Sequence, residues 1–227
     1  MKKALSLLLA TLLCFTAVLL AGCDTNVPEA TETTGSTEQT TLPETESETV
    51  KAEASKGTTD GNVYRNEFLG FEFTKPTSWV YSTDEEIAAA MNIAVDQILG
   101  ENFKQALENN PVVYDMMVVD SITGTNISVI YENLEKSFMT NITEEQYVEL
   151  VKQQLASVSG MTVSFPDQLE KAKLGKTEFT KCVCSTTANG MTFTQIYYLY
   201  NVDGYMVSIT ATIPSGYTVA EIEAMFK

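Results

Sequence analysis

"MTFTQIYYLYNVDGYMVSITATI", Met191 to Ile213, holds two long runs of apolar and aromatic residues that are joined at Asn201–Gly204. In both runs large side chains alternate with polar or smaller ones, which is the two-residue period of a half-buried β-strand. The stretch therefore predicts an antiparallel hairpin with a tight turn. One face of its second strand is predicted to consist of Tyr205, Val207, Ile209, Ala211 and Ile213.

Further strands are predicted on the N-terminal side of this hairpin. "EFTKCVCSTTA", Glu178 to Ala188, adds a third strand and extends the hairpin to a meander. "PVVYDMMVVDSITGTNISVIYENL" predicts an earlier hairpin, whose turn at Ser121–Thr125 contains a glycine for its unusual backbone angle. "NVYRNEF" and "GFEFTKPTSWVYS" predict a strand, a turn and a strand, with Trp79 as a core residue.

Three segments predict helices, because apolar residues recur there with the spacing of a helix face. The first runs from Ser82 to Gly100, the second from Asn141 to Gly160, and the third closes the chain. Each begins with a capping box, and these boxes pair Ser82 with Glu85, Thr143 with Gln146, and Thr218 with Glu221. The inner stripe of the first helix is predicted to be Ile87, Met91, Ala94, Val95 and Ile98.

The order of these elements is strands, helix, strands, helix, strands, helix. Sequential strands joined by short turns pair antiparallel, and the helices must cover the apolar faces of the sheet. The fold class that follows is α+β, with a mainly antiparallel sheet flanked by helices.

The N-terminus has the features of a bacterial lipoprotein leader. Lys2 and Lys3 precede an apolar run, and the run ends at Leu20-Ala21-Gly22-Cys23. A charged start, an apolar middle and small residues at the end indicate a signal peptide. The four final residues resemble a lipobox, which implies that Cys23 is acylated and becomes the first residue of the mature chain. An uncleaved anchor with an incidental cysteine is the alternative.

A Thr-, Glu- and Ser-rich segment follows the leader. It has no aromatic residue up to Asn62, so it cannot bury enough apolar surface to offset the entropy of ordering. We predict a signal peptide at 1–22, a lipidated disordered linker at 23–62, and one globular domain at 63–227. As a coil, the linker would reach roughly 35 Å.

Charge and composition exclude several classes of function. Without Lys2 and Lys3 the chain has 12 basic and 30 acidic residues, a formal net charge of −18. Nucleic acids and anionic lipids attract basic surfaces, so we expect no nucleic-acid partner and an attachment to the membrane through lipid rather than charge. The chain has no histidine, which is the most common metal ligand and proton-transfer group.

"GFEFTKPTSW", Gly70 to Trp79, together with the order of the elements, resembles the PsbP-like fold, an α/β/α sandwich. That family includes an extrinsic subunit of photosystem II, a binding factor for the Ran GTPase, and many bacterial lipoproteins of unknown function. The resemblance covers about Val63 to Lys227. It implies a docking or scaffolding domain that performs no chemistry of its own.

Candidate chemical groups within the domain are few. Cys182 and Cys184 share one face of a strand and lie too far apart for a disulfide, so we expect two buried thiols; a soft-metal site or redox pairing with a partner are the alternatives. "DSITGTN", Asp120 to Asn126, is rich in oxygen, yet it predicts a turn rather than a calcium loop. The methionines Met91, Met116, Met117, Met191 and Met206 are predicted to fill the core.

The sequence thus predicts a lipid-anchored protein on the outer face of the cell membrane, without cofactor, metal or enzymatic activity, that binds another protein or an envelope component. A docking domain of this kind needs an apolar or flat exposed patch. One alternative is a lipoprotein that delivers a small molecule or ion to a transporter, with a pocket lined by some of Tyr197, Tyr198 and Tyr200. Another is a weak hydrolase that uses carboxylates alone, such as Asp115 with an unidentified neighbour.

Overall fold

The computed structural model describes residues 54–99 and 102–227. The predicted leader, the lipobox with Cys23, and the linker up to residue 53 lie outside this part of the chain. The described residues form an α+β structure of two antiparallel sheets and a few helices, which confirms the predicted fold class. None of the helices in the described ranges is long and apolar enough to cross a membrane.

The strands and helices are numbered in chain order. The strands are β1 (Thr58–Asp60), β2 (Val63–Asn66), β3 (Phe71–Thr74), β4 (Val80–Tyr81), β5 (Val112–Val119), β6 (Asn126–Asn133), β7 (Met161–Ser164), β8 (Glu170–Leu174), β9 (Thr177–Ala188), β10 (Met191–Val202) and β11 (Tyr205–Ile213). The helices are α1 (Asp84–Met91), α2 (Asn102–Asn109), α3 (Glu144–Leu155) and α4 (Val219–Glu223), and a 3-10 turn spans Val95–Ile98.

The large sheet has the strand order β4-β5-β6-β11-β10-β9-β7, and β8 pairs with the other half of β9. Both predicted hairpins and the meander are present, as β5–β6 and β9–β10–β11. Asp203 and Gly204 link β10 to β11 with φ angles of 52° and 84°. Two successive positive φ angles are those of a type I′ turn, whose twist matches that of the strands it joins.

The two faces of the large sheet bury separate cores. On one face Ile196, Tyr198 and Ile209 pack against a small sheet, β1-β2-β3, and against α1, α2 and α4. On the opposite face Tyr197 and Leu199 pack beneath α3. Adjacent residues of one strand thus serve different cores, and the sheet is the middle layer of a sandwich.

The first predicted helix is shorter than expected and begins one residue later. Thr83 and Glu86 form the capping box, rather than Ser82 and Glu85. The helix stops at Asn92, which takes the left-handed conformation with φ 56° and donates its N–H to the carbonyls of Ala88 and Ala89. Asparagine tolerates this conformation better than most residues, so it ends a helix whose apolar stripe continues in the sequence. The boxes at Thr143 and Thr218 are as predicted.

The folded part of the chain begins before the predicted boundary at Val63. Strand β1 pairs with β2, and Lys56 forms an ion pair with Asp84. Residues 54–62, which the sequence pattern places in the linker because they lack large apolar side chains, therefore belong to the domain. Their attachment comes from backbone pairing and polar contacts, which hydropathy does not reveal.

Candidate functional site

Five loops meet at one end of the large sheet. The end is where β5 stops and β6 starts, where β9 turns into β10, and where β11 finishes. Pairing of Val80 with Val119 and of Met161 with Ala188 brings the starts of β4 and β7 to the same end. We call this surface the uncharged end, and its loops are 77–80, 121–125, 157–161, 189–192 and 214–217.

None of the 22 residues in these loops is Asp, Glu, Lys or Arg. Charged residues make up 19% of the chain, so about four would be expected by composition. Serine, threonine, glycine and asparagine dominate instead. Charged residues resume just beyond these ranges, at Lys75, whose Nζ donates to the Trp79 carbonyl at 2.6 Å, at Asp120, which is buried, and at Glu221, which caps α4.

Large apolar side chains are exposed at this end. Ile122 is 82% exposed, Met191 61% and Val80 59%. The prediction that Met191 fills the core is wrong, because it stands at the first position of β10, directly after the Asn189–Gly190 turn, where no layer covers the strand. The predictions for Met116 and Met206 are confirmed, since both are buried.

Three of the five loops of the uncharged end are held by side-chain hydrogen bonds. Asp120 accepts from the N–H of Ile122 at 3.1 Å and from Thr123 Oγ1 at 2.7 Å, which fixes the β5–β6 turn. Trp79, predicted to be a core residue, is buried and donates from Nε1 to Tyr217 Oη at 2.9 Å. A surface held in this way loses little conformational entropy when a partner binds.

Two of these features also occur in known protein-binding surfaces. The centres of protein–protein interfaces are depleted of charge, and adaptable binding loops are rich in Ser, Gly, Asn and Tyr. Sequence reasoning missed the site because its loops are separated by up to 137 positions between Thr77 and Pro214. The sequence does show that each of these five short stretches lacks charge, but it does not show that they lie at one end of the sheet.

The carboxylate suggested for hydrolysis, Asp115, lies elsewhere. A bulge in β5 places it between the two sheets, where it is 3% exposed. It accepts from Tyr64 Oη at 2.6 Å, from Asn66 Nδ2 at 2.9 Å and from the Gly57 N–H at 3.0 Å. Burial raises the pKa of Asp115 to about 6, and the bonds from Tyr64 and Gly57 oppose that shift. Such an enclosed group joins parts of the fold and is not placed to meet a substrate.

The two cysteines are buried, free and on one face of β9, as predicted. Burial raises the pKa of Cys182 to about 11 and that of Cys184 to about 12. Within residues 54–99 and 102–227, no three Cys, Asp or Glu side chains are grouped closely enough to hold a metal ion.

The three tyrosines suggested for a ligand pocket do not come together. Tyr197 and Tyr198 are buried on opposite faces of the large sheet. Tyr200 lies on the same face as Tyr198 and packs against Phe179 in a tilted arrangement, with 5.7 Å between ring centroids. These side chains contribute to packing.

Known protein families and curated protein sequences give no match to the chain. Among solved structures, the chain is similar to cyanobacterial PsbP (CyanoP) from Synechocystis sp. PCC 6803 in solution. The likeness covers 77% of this chain and 97% of that one, with 12% sequence identity and a TM-score of 0.44. It concerns the fold alone, and we take no function from it.

Proposed function

We propose that this protein is a membrane-anchored, extracytoplasmic lipoprotein whose domain docks onto another protein or an envelope component through the uncharged end. The observation that carries the proposal is the absence of charge from all five loops, combined with the exposure of Ile122 and Met191. The outer face of the cell membrane is the expected location, because the lipobox directs acylation to Cys23.

The charge of the chain supports this choice of surface. Most acidic proteins, nucleic acids and anionic polymers are repelled by a chain with this excess of carboxylates. Burying an unpaired charge in an interface is costly, whereas the uncharged end can be covered without that penalty. Ile122, Met191 and Val80 would each contribute about 1 to 2 kcal/mol when a partner covers them.

The lipid anchor supplies a second contribution. Acyl chains on Cys23 would hold the domain near the membrane, and the linker would let it reach partners within roughly 35 Å. Confinement to this layer raises the effective concentration of the domain, so a moderate affinity at the uncharged end is sufficient.

A photocrosslinking amino acid in place of Ile122, introduced into the anchored protein in living cells, tests the docking surface. We expect one main adduct, identified by mass spectrometry, that is lost when Val80 and Met191 are changed to Ser. The same crosslinker in place of Glu178, an exposed residue of β9, is the control and should not give this adduct. The same adduct from both positions, or none from position 122, would refute docking through this end.

Replacing Cys23 by Ala tests the anchor separately. The variant should lose labelling by radioactive palmitate and should move from the membrane fraction to the soluble fraction. Unchanged labelling would show that the lipobox assignment is wrong, while leaving the docking surface untouched.

One observation favours the small-molecule alternative. A cleft of about 360 Å³ beside α2 is lined mainly by carboxamides, among them Gln97, Gln105 and Asn109. Carboxamides both donate and accept hydrogen bonds, so they suit a neutral polar ligand such as a saccharide. Ligand-detected NMR with neutral mono- and disaccharides should show binding that Q105A/N109A abolishes; signals that are equal in both proteins would exclude this site.

A further inference from the structure

At the opposite end of the large sheet, one aromatic side chain is almost fully exposed to solvent. Phe138, in the loop between β6 and α3, is 88% exposed and has a φ angle of 58°. A bulky residue rarely adopts the left-handed conformation, and a phenylalanine gains nothing from exposure to water. Neither feature is explained by the packing of the domain.

The Phe138 loop is fixed to the sheet. Asn133 Oδ1 accepts from the N–H groups of Glu135 at 3.1 Å and Lys136 at 3.0 Å. Met139 donates to the carbonyl of Leu134 at 2.7 Å, and Leu134 donates to Gly204 in the β10–β11 turn at 3.0 Å. The exposure of Phe138 is therefore a defined feature of a folded loop.

A cleft of about 510 Å³ separates this loop from the β10–β11 turn. Glu135 and Thr140 line it from the loop, and Asp203 and Tyr205 line it from the turn. Its wall thus combines two carboxylates with an aromatic ring. Carboxylates and the face of an aromatic ring both attract a Lys ammonium or an Arg guanidinium.

We propose that this end is a second docking surface, distinct from the uncharged end, and that it binds a protein segment carrying a basic side chain among apolar ones. The basic side chain enters the cleft between Glu135 and Asp203 and lies against Tyr205. The neighbouring apolar side chains pack on Phe138. An exposed aromatic residue beside a pocket is the arrangement of an interface hot spot.

The two docking surfaces can be occupied together. Strand β10 has 12 residues and runs from one end to the other. At about 3.4 Å per residue, the surfaces are roughly 40 Å apart, so partners bound to each do not collide. The domain would then bridge two proteins rather than bind one.

A fluorescent peptide with two lysines among leucines, titrated against the full chain in nonionic detergent, tests the proposal. F138S should weaken binding at least about tenfold, because it removes the apolar contact. E135Q/D203N should also weaken it by about tenfold and reduce its dependence on NaCl concentration. Asn is favoured at the positive φ of Asp203, so this variant keeps the turn, and Trp79 fluorescence reports that the fold is intact.

Three controls make the result decisive. D60N/E85Q changes the net charge by the same amount at two exposed residues near the other end of the large sheet, where Tyr81 pairs with Val118 and donates to the Asn62 carbonyl, and it should bind the peptide as the unmodified chain does. I122S/M191S should also bind normally, because it alters only the uncharged end. A peptide with glutamates in place of the lysines should not bind. Equal binding of both peptides, equal weakening by D60N/E85Q, or no effect of F138S would overturn the proposal.

Discussion

Tyr64 donates a hydrogen bond of 2.6 Å to Asp115 Oδ2, and this bond joins the small sheet to the large one. Asn66 reinforces the connection, because its Nδ2 lies 2.9 Å from the same carboxylate oxygen and 3.0 Å from Tyr131 Oη. Burial raises the pKa of Tyr64 and of Tyr131 well above their usual range, and the negative charge of Asp115 adds to both shifts. A single carboxylate is therefore the centre of a buried polar network.

Asp115 makes stability depend on pH in an unusual direction. Its pKa is raised from 3.8 to about 6, so the folded protein holds a proton that the unfolded chain has released between these values. The contribution of Asp115 to the free energy of unfolding is complete below pH 4. It is lost as the pH rises through 6, and the loss is up to about 3 kcal/mol. Denaturant unfolding of the wild type and of Asp115→Asn at several pH values measures it.

The difference in unfolding free energy between these two proteins isolates Asp115, because all other titrating groups are common to both. We expect the advantage of the wild type to shrink between pH 4 and pH 7. Lys56 and the donors Tyr64, Asn66 and the Gly57 N–H oppose the shift, so a constant or growing advantage would mean that they outweigh burial.

Gly57 should not tolerate a side chain. A Cβ atom at this position would lie 2.3 Å from the Tyr64 ring, closer than any non-bonded contact. Gly57→Ala should push residues 54–60 off the domain and remove an N–H from Asp115, at a cost of about 1 to 3 kcal/mol. Hydrogen exchange of the β1 and β2 amides would measure the loss of protection.

Gly61→Ala is the matched control for Gly57→Ala. Its φ of 56° makes alanine unfavourable by about 1 to 2 kcal/mol, yet nothing lies within 4 Å of the added Cβ. We expect β1 to remain paired in this variant. Equal exchange in both variants would show that contact with the Tyr64 ring is not what limits position 57.

Tyr217→Phe should affect the single tryptophan directly. The change removes the oxygen that accepts from Trp79 Nε1 and leaves a buried N–H without a partner, which costs about 1 to 3 kcal/mol. The edge-to-face ring contact, with centroids 5.3 Å apart, is retained. Tryptophan fluorescence should shift in the folded state, and chemical denaturation should give the loss of stability; an unchanged midpoint would argue against this bond.

The two thiols of β9 should be unreactive in the folded protein. In C14S/C23S they are the only cysteines left, since the chain has four. Their pKa values, raised by burial to about 11 and about 12, leave almost no thiolate at pH 8. Ellman's reagent should therefore react slowly with the native variant and modify both thiols quickly in denaturant. Fast reaction of a native thiol would show that α3 opens readily.

The sheet and its hairpins could be predicted because local pattern and turn chemistry agree there. Alternation along β10 and β11 and the Asp203-Gly204 turn specify one register. The prediction that Cys182 and Cys184 lie on one face of a strand is also correct, because alternation along a strand is enough to fix their shared face. The end of α1 was missed because Asn92 interrupts the helix without interrupting its apolar period.

The candidate sites could not be predicted, because each is assembled from distant parts of the chain. The uncharged end needs the strand order, which brings Ile122 and Met191 to one edge. Phe138 is apolar, so composition alone assigns it to the core, and only the loop geometry reveals its exposure. Asp115 was noticed as a carboxylate, but its partners Tyr64 and Asn66 lie about 50 positions away.

The attachment of the N-terminal segment has a mechanical consequence. A pulling force on the chain before Ala54 reaches the domain first at the ion pair of Lys56, at the Gly57 N–H and at β1, which has only three residues. These few contacts should break at a lower force than the hydrogen bonds of β10, which is paired along both edges. Stretching would thus free a short length of chain and spare the large sheet, so that both proposed docking surfaces keep their shape under load.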